Sequence, residues 1–198
     1  MEPVFSPNGE HLAVVAADNI VDSPCHYDVF LDGKKVLKDL DSCSPVIATN
    51  DGKAHFAYKK DGKQYFFDGT STNGPYKEMR QMHHSRDRNR VAFMATMDSE
   101  TWFMVVDGHR QSNNFTVVFP PSFSADGKHV SYSGINGDRT EYDVHLVVDD
   151  KVVRSWTDQV NGELELTGVP VFSENGNCWV VATISSTTVS KSEIFRNG

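Results

Sequence analysis

PSFSADGKHVSY, residues 121–132, is the stretch that decides how this chain is read. Nearly the same phrase stands near the start, PVFSPNGEHLAV (3–14), and again near the end, PVFSENGNCWVV (170–181). Fixed-period self-similarity marks a repeat architecture, in which one supersecondary unit is copied and stacked on its neighbours. The shared pattern is proline, an apolar residue, an aromatic, serine, a glycine turn, then an apolar-small-apolar run. It fits again at Pro45, with Phe56-Ala57-Tyr58 after one extra residue in the turn. It fits weakly from Met82, with Val91-Ala92-Phe93, where SRDRNR replaces the glycine turn. That makes five copies.

A second phrase follows each first one: YDVFLDGKKV, QYFFDGTS, WFMVVDGHRQ, YDVHLVVDDKVV and SEIFRNG. An Asp-Gly pair between β-rich arms is a strong hairpin signal, because a type I′ turn needs positive φ at both central residues. Each unit of about 40 residues reads as four short strands, called a to d here. A single such sheet cannot bury both faces, so neighbouring sheets must stack, and radial stacking makes a β-propeller. Small residues at Ala13, Ala57, Ala92 and Ser131 suit close approach near a crowded axis. The expectation is all-β: one propeller domain of about five four-stranded antiparallel blades, 1–44, 45–81, 82–120, 121–169 and 170–198. An all-β sandwich is the competing fold.

FSPNGEHLAV, FSADGKHVSY and FSENGNCWVV resemble the FSPDG signature of TolB-like, WD40-like propeller repeats, and WFMVVDGHRQ resembles the VVDG hairpin that follows it. The resemblance runs over essentially the whole chain, with copy three departing from it. It implies a binding scaffold. Relatives include the propeller of the TolB translocation protein and those of prolyl-oligopeptidase-type enzymes, so fold and function do not map one to one.

The net charge of −8 argues against a general nucleic-acid or membrane-surface binder, since phosphate needs a basic footprint. No run of about 18 apolar residues occurs, so no membrane insertion is expected. MEPVFSPNGE lacks a basic region followed by an apolar stretch, unlike a secretory leader. Sparse cysteine and no leader favour the cytoplasm, whereas the TolB resemblance, or a leader already removed, favours the periplasm or secretion. Of Cys25, Cys43 and Cys178, the first two lie near the open ends of one hairpin. They read as reduced thiols, with a Cys25–Cys43 disulfide as the alternative.

Catalytic signatures are weak. A glycosidase on this fold needs paired carboxylates around the funnel. The a strands PVFS, PVIA, MHHS, PSFS and PVFS contain none, and Asp32, Asp51, Asp61, Asp107 and Asp126 are explained by turns. No G-x-S-x-G elbow, phosphate loop or calcium loop occurs. His83 and His84 point to opposite faces of a strand, so they do not read as a metal pair. His84 shares the column of Phe5, Ile47, Phe123 and Phe172 and reads as a core residue. Trp102 and Trp179 read as packing between blades, with Trp156 less clear. The expectation is no catalytic residue, no cofactor and no metal.

Binding is the better reading. KEMRQMHHSRDRNR (77–90) is the basic island of an acidic chain. Arg80, Arg86, Arg88 and Arg90 are fork donors suited to carboxylate or phosphate. The long loops 16–27, 133–142, 157–169 and 183–192 supply Asp18, Asp22, Asp138, Arg139, Glu141 and Glu163 to a polar contact surface. The function expected is a non-catalytic scaffold for a protein or peptide partner. The alternative is a small-ligand or carbohydrate-binding propeller, on its own or as part of a larger hydrolase. The chain starts on strand a and stops after strand c of copy five. This predicts a closed ring with a three-stranded last blade, whose open edge at residues 192–196 permits a monomer or a weak homodimer.

Overall fold

The computed structural model describes residues 3–17, 25–137, 141–159, 170–173, 178–185 and 190–196, and every regular element among them is a strand. Five antiparallel sheets follow one another along the chain. The first holds β1 (Val4–Phe5), β2 (Leu12–Ala17), β3 (Tyr27–Leu31) and β4 (Lys34–Leu40). The second holds β5 (Ser42–Cys43), β6 (Ile47–Ala48), β7 (Ala54–Lys60), β8 (Lys63–Asp68) and β9 (Thr72–Tyr76). The third holds β10 (Glu78–His84), β11 (Val91–Thr96), β12 (Trp102–Val106) and β13 (His109–Phe115). The fourth holds β14 (Val117–Val118), β15 (Ser122–Phe123), β16 (Val130–Gly137), β17 (Glu141–Val148) and β18 (Lys151–Gln159). The fifth holds β19 (Val171–Phe172), β20 (Cys178–Ser185) and β21 (Ser190–Arg196), with β21 at its edge. No described helix is long and apolar enough to cross a membrane.

Consecutive sheets are glued face to face. In β11 every residue of VAFMAT is buried, because strand side chains alternate and both faces are covered. Val91, Phe93 and Ala95 join Phe66 of the second sheet, with rings of Phe66 and Phe93 4.8 Å apart. Ala92 and Met94 join Val130, Tyr132 and Val147 of the fourth sheet. A third cluster joins Ala13, Val15, Val29 and Leu40 to Ala48, Ala54, Phe56 and Phe67, linking the first sheet to the second. His129 and Phe172, with ring centroids 6.4 Å apart, bring the fourth sheet against the fifth.

The sheets divide the chain a few residues ahead of the sequence motif. Ser42–Cys43, the start of β10 and Val117–Val118 all pair forward, with β7, β11 and β16. In each of these three sheets the first strand then carries one extra residue. Residues 44–46 face 56–57, residues 81–82 face Phe93, and residues 119–121 face 132–133. Such a bulge bends the strand and ends its regular ladder. Pro45, Pro120 and Pro121 sit in two of these bulges, where a missing N–H costs no ladder bond.

The turn after the first strand is one device in the first four sheets. The hydroxyl of Ser6, Ser85 or Ser124 donates to Asn8, Asp87 or Asp126 and accepts the N–H of His11, Arg90 or His129. Thr49 does the same with Asp51 and Lys53, one residue sooner. Copy two therefore has a shorter turn, not the longer one expected. Its register puts Ile47 opposite His55 and Ala48 opposite Ala54. The small-residue column is Ala13, His55, Ala92 and Ser131, and the aromatic column is Phe5, Ala48, His84, Phe123 and Phe172. Copy two swaps large and small: Ala48 faces the first sheet, and His55, on the opposite face, stacks on His84 of the third.

Copy three, weak in sequence, folds like the others. Arg88 takes the left-handed conformation (φ 61°) that Gly9, Gly52 and Gly127 take at 75°, 74° and 71°. A side chain there costs about 1 kcal/mol relative to glycine. Arg88→Gly is accordingly expected to be about 1 kcal/mol more stable than Arg88→Ala in urea unfolding, since both lose the side chain and only one keeps the strain. Equal stabilities would contradict this backbone.

The hairpin turns Asp32-Gly33, Asp107-Gly108 and Asp149-Asp150 have both central φ positive. Each first aspartate reaches across to the preceding turn. Asp32 accepts from Leu12 N and pairs with His11, Asp107 from Val91 N with Arg90, and Asp149 from Val130 N with His129. Asp68 instead closes its own loop through Thr70 and Ser71. The turns of successive sheets are also stitched together: Asn8 N donates to Asn50, Asn50 N to Asn89, and Arg90 Nη1 to Gly127 O.

Cys25 and Cys43 are free thiols, which corrects the disulfide alternative. Each sulfur lies against the carbonyl of its own following residue, His26 or Ser44. Burial pushes the Cys43 thiol up to about 12. It is expected to alkylate slowly at pH 8 until urea opens the sheet, because only the thiolate reacts. Full alkylation of the native protein within minutes would contradict that burial. The Cys178 side chain lies outside the described residues.

Candidate functional site

The four arginines expected to act together are dispersed by the fold. Arg80 lies early in β10, while Arg86, Arg88 and Arg90 occupy the turn beyond its far end; Arg80 pairs with Met94, which puts it about 13 Å from Arg90 at strand rise. Arg80 pairs with Glu78 and lies 4.9 Å over the ring of Trp102. Trp102 is half-buried against the core between the third and fourth sheets. Arg90 is structural: its Nε bonds Asp107, its Nη1 bonds Gly127 O and Lys128 O, and it lies over Phe123. Arg88 Nη1 donates to Phe5 O, 83 residues away in the first sheet. Arg86 is exposed and makes no hydrogen bond or ion pair among the described residues.

Asp18, Asp22, Asp138, Arg139 and Glu163 lie outside the described residues, as does the Glu141 side chain at the start of β17. An opening among the described residues lies at the other ends of the strands, beside the turn of copy three. A cavity of about 400 Å³ opens there between the first strands of the third and fourth sheets. His83, His84 and Arg86 line one side and residues 121–125 the other.

His84 is half-buried rather than a core residue, and Phe5 of the same column is 58% exposed. The rest of this column enters the layers between sheets: Ala48 joins the core against the first sheet, and Phe123 packs on the core against the third. The His84 ring stacks on His55, centroids 5.8 Å apart. Its Nε2 is enclosed and has no hydrogen-bond partner. Burial, then the positive charges around it, push the imidazole down to about 4. Ser122 and His83 also leave their polar atoms without partners among the described residues. The opening thus has the exposed His83 and Arg86, with no hydrogen bond among the described residues, on one side and Pro121, Phe123 and Ala125 as an apolar wall on the other, while the His84 ring packs on the opposite face of β10.

The sequence reading named Arg86 but missed that Pro121, Phe123 and Ala125 stand across the opening from it, since that juxtaposition is made only by the packing of the third and fourth sheets. A second cavity, about 190 Å³, is lined by Lys53, His55, Asp68, Thr70, Asn89 and Asp107. Its two carboxylates are already engaged by backbone, Ser71, Asn73 and Arg90. Among the described residues no group of three His, Cys, Asp or Glu side chains is arranged to hold a metal ion.

No protein-family model matches this chain, and no curated protein matches it. Among solved structures it is similar to a eukaryotic initiation factor, with 8% identity and a TM-score of 0.47 over 100% of this chain and 57% of that one. It is also similar to a puromycin-hydrolyzing peptidase of Mycobacterium tuberculosis, with 16% identity and a TM-score of 0.45 over 99% of this chain and 35% of that one. The chain spans about half or less of the length of these two proteins, and likeness at this level assigns no function.

Proposed function

We propose that the five sheets are blades of a TolB-like, WD40-like β-propeller that serves as a non-catalytic module for a protein or peptide partner. The radial arrangement is supported by stacking in chain order and by the bond from Arg88 to Phe5 O, which draws the first strands of the first and third sheets together. First strands that converge in this way belong at an axis.

The observation that carries the binding reading is the opening beside Arg86, where an exposed guanidinium with no partner among the described residues stands across from the apolar wall of Pro121, Phe123 and Ala125. Arg86 is cationic in an acidic protein, which selects an anionic partner by complementarity. Bead-bound protein should capture a partner at 50 mM salt that can be reconstituted from purified components. Arg86→Glu, at an exposed position, should lose that partner while keeping its melting temperature. Equal binding by both proteins would contradict the site. Ligands found on a glycan array, with no protein partner, would favour the small-ligand reading.

A further inference from the structure

We infer that the cavity between the second and third sheets, lined by His55, Asp68 and Asp107, binds a primary alkylammonium, the head of a lysine side chain or of a free amine. The site is separate from the opening beside Arg86 and does not depend on it.

The first argument is His55. It is 4% exposed and lines the cavity of about 190 Å³. Asp68 stands directly opposite it in the β7–β8 ladder, on the same face of the sheet. That face meets the third sheet: the His55 ring stacks on His84, and a Cβ added to Gly108 would sit 2.9 Å from Asp68 Oδ2. Neither ring nitrogen of His55 has a hydrogen-bond partner among the described residues; Nδ1 is enclosed and Nε2 is not. Nothing fixes the tautomer, so an incoming donor finds a lone pair at Nε2. A buried polar side chain left unpaired beside a polar cavity marks a group that a ligand completes.

The second argument is charge. Asp68 accepts four hydrogen bonds, all from neutral donors: the N–H groups of Thr70 and Ser71, Ser71 Oγ and Asn73 Nδ2. Asp107 is matched by Arg90 and Asp51 by Lys53. One negative charge, on Asp68, is therefore left over beside His55, and it calls for a monocation. Burial holds the imidazole neutral against the pull of Asp51, Asp107 and Asp68, so His55 does not supply that cation itself.

The third argument is shape. Asp68 has no lone pair left, and each oxygen of Asp107 already holds one donor, from Val91 N or Arg90 Nε. No carboxylate here can take the planar fork of a guanidinium, whereas an ammonium is a compact charge with three separate donors. Asp107, His55 Nε2 and the unbonded Thr70 hydroxyl offer three acceptors on one cavity. A metal ion is the poorer fit, because no three His, Cys, Asp or Glu side chains among the described residues are arranged to hold one.

The test is an NMR titration of the nitrogen-15-labelled full chain with n-butylammonium chloride at pH 7.5 and low salt. Saturable shifts are expected at residues 53–55, 68–70, 89 and 107–108 and at His55 Nε2, half-complete below about 10 mM. Asp68→Asn should weaken binding at least tenfold by removing the unmatched charge. Thr70→Val, at an exposed position, should weaken it about threefold with an unchanged melting temperature. Lys53→Met should tighten it about threefold by removing a like charge, and this variant carries the test if Asp68→Asn does not fold. n-Butanol, potassium and methylguanidinium should each bind at least tenfold more weakly. Equal binding of butanol, of potassium or of methylguanidinium would overturn the inference, as would the absence of saturable shifts at these residues. Binding of N-acetyl-lysine N-methylamide as tight as that of butylammonium would point to a lysine of a partner as the source, and its exclusion to a free amine.

Discussion

Gly134→Ala is expected to destabilise the protein by about 3 kcal/mol, far beyond the usual effect of adding a methyl group to a strand. The backbone of Gly134 lies under the ring of Phe115, and a Cβ would sit 2.3 Å from its Cγ. Phe115 is 3% exposed and cannot step aside. Tyr132 meets it edge-on with centroids 6.2 Å apart, and His145 flanks it at 5.8 Å. An aromatic ring laid across a strand glycine replaces the packing that the missing side chain would supply. Phe115→Ala is expected to cost about 3–5 kcal/mol through the cavity it leaves. The double substitution should cost clearly less than the two added together, because removing the ring removes the clash. Urea unfolding of the four proteins measures this coupling. Simple additivity would show that ring and glycine do not touch.

Phe66→Ala is expected to cost about 3–5 kcal/mol, again by urea unfolding. Phe66 is fully buried and belongs to the second sheet, yet its cluster partners Val91, Phe93, Ala95, Phe103 and Val105 all belong to the third. Deleting it removes the wedge between two sheets rather than a contact within one. By contrast Phe5, 58% exposed, should tolerate alanine within about 0.5 kcal/mol. Similar costs at the two positions would mean that the sheets do not stack in chain order.

The strands and their order were legible because hairpin aspartates, glycine turns and apolar alternation are local signals. What escaped was register. Thr49 closes its turn one residue early, and nothing in ATNDGKAHF distinguishes a short turn from a long one until His55 is placed in the small-residue column. The bulges escaped as well, because an extra residue opposite a strand is a property of the pair. Copy three looked defective because arginine stands where glycine is usual, and the energy of one left-handed residue is small enough for the rest of the turn to hold it. The basic island was visible as composition. Which of its arginines are free was not, since Arg80 and Arg90 find partners only through tertiary contacts. The expected acidic loop surface falls largely on residues outside those described.

The central claim is that the opening beside the third turn is where this protein meets an anionic partner. Its most direct test is a backbone amide NMR titration with an acetylated, amidated tetraglutamate peptide at pH 6. The account predicts shifts concentrated at residues 83–90 and 121–125, absent in Arg86→Gln and suppressed by salt. Shifts spread over the other basic residues, or centred on Arg80 at the opposite end of β10, would contradict it.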